Sequence, residues 1–291
     1  MKNHTVLTIQ QFESGFQSKD FYCNSFENHL VSGHKNIHKP HRHNFYLTVL
    51  FTHGSGVHEI DFVTYAVRPG SLFFLNPGQM HHWDLSEDIS GFIFFHTQSF
   101  YDLHFTQNRI NNFPFFYSVQ NSPVLYLEES DRSYLTFLFE QVYVENASER
   151  LLKSQKIKGL IDLIYIESTR LYIGNNDLDK SKQHPYSNKF QELEQLVAQY
   201  YKEEKSPSWY AGKLHISARH LNRIVQEMVG KTTTDIILER VFLEAKRELI
   251  SRKFSFNAIS DDLGYDDYAY FSRLFKKKCG ETPSDFVNRY R

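Results

Sequence analysis

One pattern occurs twice in this chain, and it constrains the fold more than any other feature. His220-Leu221-Asn222-Arg223-Ile224-Val225 leads to Gly230-Lys231-Thr232 and Asp235. It returns as Tyr270-Phe271-Ser272-Arg273-Leu274-Phe275, leading to Gly280-Glu281-Thr282 and Asp285, so Arg223 and Arg273 stand 50 residues apart. Self-similarity at a fixed offset marks one supersecondary unit used twice. In the second copy Ile259 and Leu263, four residues apart, share one face of a short helix. Gly264 supplies the left-handed backbone that stops it, and Asp266 or Asp267 caps the next helix. That helix should bury Phe271, Leu274 and Phe275, end at Gly280 and be kept from continuing by Pro283. In the first copy Ser206-Pro207 opens a helix packed by Trp209, Tyr210 and Leu214, Ser217 caps the next, and Ala218 to Val229 forms the counterpart. Asp235 to about Ser251 reads as one helix spanning about 25 Å between the copies, at ~1.5 Å per residue.

The outer faces of the paired helices suit a DNA major groove. The first offers Ala218, Arg219, Asn222, Arg223 and Gln226, the second Tyr268, Ala269, Ser272, Arg273, Lys276 and Lys277. Lys276 to Lys278 make the last turns of the second basic and suit phosphates. One such helix pair would be weak grounds, because glycine-punctuated pairs are common. Two in register point to double-stranded DNA as the partner. The alternative for each arginine is a phosphate contact or a cap on its own helix.

Net charge over the 291 residues is −1, which by itself argues against a nucleic-acid partner. The distribution argues otherwise: residues 188–291 hold 18 Lys+Arg against 15 Asp+Glu, leaving 15 against 19 for residues 1–187. A basic reader joined to an acidic remainder fits that asymmetry. Cys23 and Cys279 stand alone, so neither a disulfide framework nor a Cys-based zinc site is expected. No signal-like N-terminal run and no apolar stretch of membrane-spanning length is present, which leads to the expectation of a cytoplasmic protein without membrane contact.

Residues 38–100 carry β signals. Phe45 to Phe51 is an apolar, β-branched run closed by Gly54-Ser55-Gly56, and Leu72–Leu75 and Phe92–Phe95 are short apolar runs of strands buried on both faces. Short strands between Pro/Gly turns predict a double-sheet jelly roll. Met1 to about Ile37, with Phe12, Phe16, Phe21 and Phe26, reads as an arm with one or two strands. Asp131 to Ile173 switches to helical period, broken near Asn146-Ala147-Ser148. Both faces of these helices are apolar, so the outer face of the β domain or a second subunit must cover them. Gly174 to Ser187 is polar and reads as a linker. The expected fold class is therefore α+β with two domains. A β jelly roll (residues 1–127) is followed by a helical dimerisation segment (128–173), a linker (174–187) and an all-α domain with two helix-turn-helix units (188–291).

Gly264-Tyr265, Phe271-Ser272-Arg273-Leu274-Phe275-Lys276 and Gly280-Glu281-Thr282-Pro283 together resemble the DNA-binding domain of AraC/XylS-family transcription regulators. Ser260 stands where that family usually has Ala, and Val225 where it usually has Phe. The β segment resembles a cupin, through Pro40-His41-Arg42-His43-Asn44-Phe45-Tyr46 and Pro69–His81. His41, His43 and His81 match the three imidazoles of metal-binding cupins, while Leu47 and Thr48 occupy the place of the glutamate. Three histidines can hold zinc; otherwise they line a pocket mouth and bond to backbone or ligand. Without the carboxylate, no metal and no cofactor is assigned. The resemblance implies a small-molecule effector, with His41, His43, Tyr46, His81 and Trp83 as the candidate ligand set. The aromatic side chains suit equally a filled core and an aromatic-walled cavity. His82, His53 and His58 read as solvent-facing or hairpin residues. The family further implies a homodimer, with RNA polymerase as a candidate partner and no catalytic residue. Two rivals remain: a regulator without a ligand, and a metal-dependent cupin enzyme, which leaves the C-terminal half without a role.

Overall fold

The computed structural model describes residues 6–12, 19–32, 38–105, 109–118, 120–174, 185–251 and 253–290. Phe16 of the expected arm and residues 175–184 of the expected linker lie outside the described residues. The chain divides into two compact units, His4–Asp177 and Leu178–Arg291.

The N-terminal unit is a sandwich of β1 (Val6–Leu7), β2 (Phe21–Ser25), β3 (His41–His43), β4 (Tyr46–His53), β5 (Gly56–Ile60), β6 (Val63–Val67), β7 (Ser71–Leu75), β8 (Met80–Leu85), β9 (Ser90–His96) and β10 (Val124–Tyr126). One sheet runs β1-β3-β8-β5-β6, the other β10-β7-β4-β9-β2. Period-two alternation sorts the side chains. Phe45, Leu47, Val49 and Phe51 enter the interior with Phe73, Leu75, Trp83, Ile93 and Phe95. Tyr46, Thr48 and Leu50 therefore face the other way.

That outer face is not left to water. The connecting helices of this unit are α1 (Phe26–Ser32), α2 (Gln98–Asp102), α3 (Pro114–Tyr117), α4 (Glu129–Asn146) and α5 (Lys153–Gly174). Phe139 of α4 lies 5.3 Å from Phe94, and Tyr165 of α5 lies 6.3 Å from Phe74, ring centroid to centroid. Tyr165 is fully buried, and its hydroxyl meets His96 Nε2 at 2.7 Å and Thr48 Oγ1 at 3.2 Å. This cover explains why β7 and β9 are apolar on both faces. Of the two covers left open by the sequence, the outer face of the β domain takes the inner face of the helices at 128–173, which belong to the first unit.

The C-terminal unit comprises α6 (Ser187–Tyr200), α7 (Pro207–Lys213), α8 (Ala218–Val229), α9 (Thr233–Ser251), α10 (Phe256–Asp262), α11 (Tyr268–Cys279) and α12 (Pro283–Arg289). Its repeat is visible atom by atom. Ser217 Oγ accepts from His220 N at 3.2 Å and Asp267 Oδ1 from Ala269 N at 2.7 Å, each capping one outer helix. Gly230 and Gly280, with φ of 68° and 85°, end them. Thr232 with Asp235 and Thr282 with Asp285 then open α9 and α12 with the same reciprocal bonds.

The turn between helices differs in length between the copies, residues 214–217 against 263–267. Gly264 is needed in the longer one: its φ is 76°, and a Cβ there would lie 2.3 Å from the Lys202 carbonyl oxygen. Ser260, the departure from the family's Ala, is buried without penalty because its hydroxyl donates to the Tyr265 carbonyl at 3.0 Å. Phe242 of α9 packs on Phe271 and Phe275, at 6.0 and 5.6 Å between centroids, fastening α11 to the central helix.

Candidate functional site

Helix α8 buries Leu221, Ile224 and Val225, which leaves Arg219, Asn222, Arg223 and Gln226 exposed and Ala218 half-buried. Helix α11 buries Phe271 and Phe275, leaving Ala269, Arg273, Lys276 and Lys277 exposed and Tyr268 and Ser272 half-buried. Leu274, expected in the core, is only half-buried. Between the two lies α9, of 19 residues and so roughly 28 Å long.

Three of the polar groups on these faces are engaged within the unit. Asn222 Oδ1 accepts from Thr233 N at 3.0 Å, so this carbonyl caps α9. Reading adenine through an Asn uses that oxygen as well as the amide nitrogen, and the Thr233 bond takes one of the oxygen's two lone pairs. Lys278 forms an ion pair with Asp235, whose carboxyl is held at about 2, first by that lysine and then by Thr232. It ties α11 to α9 instead of joining Lys276 and Lys277 as a free cation. Arg223 donates from Nη2 to Tyr186 Oη at 2.9 Å and to His220 Nδ1 at 2.8 Å. Among the described residues, Arg273 has no hydrogen-bond or ion-pair partner.

In the N-terminal unit, His41 and His43 alternate on β3 and so share its inner face, while His41 pairs with His81 across the antiparallel β3–β8 ladder. Ring centroids are 4.3 Å apart for His41 and His81, 5.0 Å for His43 and His81, and 4.7 Å for His81 and Trp83. The structure thus gathers four of the five expected residues. Tyr46 is not with them. It lies on the outer face of β4, stacked 5.6 Å from His96, and its hydroxyl donates to Asn111 Oδ1 at 2.9 Å. The reason is the strand's alternation: once Phe45 points inward, Tyr46 cannot.

His58 takes the fifth place. It is fully buried, which overturns the solvent-facing expectation, because β5 pairs with β8 and sets it opposite Trp83. Its Nε2 lies 3.0 Å from His81 Nδ1, and its ring 4.8 Å from Trp83. His53 is exposed and His82 half-buried near Glu59, 3.9 Å away.

Burial disfavours the charged form of His43 and His58. His43 is pushed down to about 3, by desolvation first and then by His41, and His58 falls well below the ordinary range for the same reasons. His29, bonded to Tyr22 Oη at 3.0 Å, also falls to about 3 by burial. The Nδ1 atoms of His41 and His43 lie 2.9 and 2.8 Å from the carbonyls of Lys39 and Phe45. Each ring therefore donates from Nδ1, and His43, held neutral by burial, keeps a lone pair on Nε2. Among the described residues no group of three or more His, Cys, Asp or Glu is disposed to hold a metal ion, and Leu47 is part of the apolar core. No metal role is derived for these imidazoles.

No described helix is long and apolar enough to cross a membrane. The AraC-like ligand binding domain family matches residues 26–94, and a helix-turn-helix domain family matches residues 210–289. An uncharacterized HTH-type transcriptional regulator of Bacillus subtilis, YfiF, is 22% identical over 99% of this chain and 92% of its own. The arabinose operon regulatory protein of Escherichia coli is 21% identical over 90% of each chain. Among solved structures, ToxT of Vibrio cholerae aligns over 93% of this chain and 98% of its own, at 14% identity and a TM-score of 0.43.

Proposed function

Since the chain belongs to the AraC-type DNA-binding transcription regulators, we propose that it reads two successive major-groove segments on one face of a duplex, one with α8 and one with α11. A single observation carries this reading. Two capped amphipathic helices present Arg223 and Arg273 at equivalent positions, and each is fastened to α9, α8 through the Asn222–Thr233 bond and α11 through Phe242 and the Lys278–Asp235 pair. Each arginine reads guanine, Arg219 and Gln226 add base contacts in the first segment, and Lys276 and Lys277 neutralise phosphates. Titrating full-length protein into a selected operator and a scrambled duplex at several salt concentrations tests it. Specific binding should exceed non-specific binding by orders of magnitude, with both falling as salt rises.

The remaining assignments rest on the same premise. The N-terminal unit senses a small organic effector at the inner face lined by His41, His43, His58, His81 and Trp83, with Tyr46 left out. Four imidazoles beside an indole suit a ligand with a planar apolar body and hydrogen-bonding edges. A thermal-shift screen is the check, because a true ligand raises the midpoint of this unit. The protein acts as a homodimer through the outer side of α4, where Tyr134, Phe137 and Val144 fall on one face at 46%, 53% and 59% exposure. It works in the cytoplasm, catalyses nothing, and has RNA polymerase as its further macromolecular partner.

A further inference from the structure

The guanidinium of Arg223 is at the surface, with the side chain 56% exposed, yet one of its nitrogens is fully committed. Nη2 carries two hydrogens, and it donates to two acceptors, Tyr186 Oη and His220 Nδ1. The guanidinium also sits over the Tyr186 ring, 5.7 Å from its centroid, and the Tyr186 and His220 rings meet edge to face at 5.5 Å. Glu227, one turn further along α8, brings Oε1 to 3.9 Å from Nε.

A guanidinium holds its N–H donors in a rigid planar fork, and it grips guanine O6 and N7 through two donors side by side. The fork has two edges that offer such a pair, Nη1 with Nη2 and Nε with Nη2. Both contain Nη2. While Tyr186 and His220 accept its two hydrogens, neither edge is available to guanine. Arg273 has no comparable restraint among the described residues, so the two reading heads differ although their helices match.

We infer that Tyr186 and His220 form a latch that withholds Arg223 from guanine, which makes Tyr186 a specificity-determining residue of the first helix-turn-helix unit. This rests on the reading that Arg223 contacts bases. Tyr186 immediately precedes α6, where the chain from the N-terminal unit enters the DNA-binding unit. The latch therefore ties base reading in the first segment to the conformation of the chain at that point. The second segment, read by α11, is outside its control.

The test uses full-length protein and an operator selected with the parent chain. Tyr186→Phe keeps the ring and removes the acceptor, and His220→Leu removes the other acceptor; each frees one edge of the fork. Both should raise operator affinity roughly threefold to tenfold, the range of a net hydrogen bond. The gain should vanish when the base pair facing Arg223 is changed, and in an Arg223→Ala background. Changes at the segment read by Arg273 should leave the gain intact. Melting temperature and affinity for a scrambled duplex report whether each variant is folded. Equal or weaker operator binding by folded variants overturns the latch. If Arg223→Ala leaves sequence preference intact everywhere, the base-reading assignment itself has failed and the latch falls with it. If that variant erases one position's preference while the two latch variants gain nothing, the latch alone is wrong.

Discussion

Lowering the pH from 7 to 5.5 should destabilise the N-terminal unit far more than the C-terminal one. Four of its histidines are buried and held neutral: His29 and His43 are pushed down to about 3, His96 to about 4, and His58 well below the ordinary range, in each case chiefly by desolvation. In the unfolded chain the same rings titrate near 6.5, so below that pH the unfolded state binds more protons. The stability they confer is present above about pH 6.5 and is lost as pH falls toward 3. Each contributes a slope of about 1.4 kcal/mol per pH unit in that window. Between pH 7 and 5.5 this amounts to roughly 1.2 kcal/mol per ring, or about 5 kcal/mol for four, comparable with the whole stability of a small domain. The C-terminal unit has only His215 and His220 among its described residues, neither of them buried. Each unit holds one tryptophan, Trp83 and Trp209, so Trp209→Phe and Trp83→Phe proteins report the two units separately by fluorescence during urea unfolding. The Trp83 transition should shift to much lower urea at pH 5.5 while the Trp209 transition moves little. An unchanged Trp83 midpoint would mean that these rings are not held neutral and that the burial argument is wrong.

Gly264→Ala should cost well over the ~1 kcal/mol expected of Gly280→Ala. A Cβ at 264 meets the Lys202 carbonyl, whereas nothing lies within 4 Å of one at 280; paired thermal melts compare them. Tyr165→Phe strips His96 and Thr48 of their shared partner and should cost about 1–3 kcal/mol in urea unfolding. Phe137→Asp should convert a sedimenting dimer to monomer without lowering the melting temperature, since this side chain faces away from the sheet. Lys277→Ala should weaken binding to all duplexes alike and lower the salt slope by about 1.

The C-terminal unit was legible because its signals are local. Caps, glycine stops and apolar spacing define α8 to the residue and α11 to within one residue at its start, and the repeat specifies their relation. The two-sheet class of the N-terminal unit was likewise legible from turn spacing. Pairing across sheets was not. His58 looks like a hairpin residue until β5 lies beside β8, and only then does it face Trp83. Tyr46 is a different case, because the alternation of Phe45, Leu47, Val49 and Phe51 already puts it on the opposite face. Its place beside the His-x-His element in sequence hid that geometry. The Tyr186–Arg223 contact spans 37 residues and rests on a side-chain bond, which no periodicity can signal. The second role of Asn222 was hidden for a related reason: its amide is on the helix surface, but its oxygen also accepts from the first turn of the next helix.

The central claim is that one chain reads two groove segments, one through each arginine. Selection from random duplex DNA by the parent chain, Arg223→Ala and Arg273→Ala tests it most directly. The parent should yield two preferred segments about 10 bp apart, and each variant should lose preference at only one of them, a different one in each case. If both variants recover the parent's preferences in full and lose only affinity, the arginines contact phosphates and the two-segment account is contradicted.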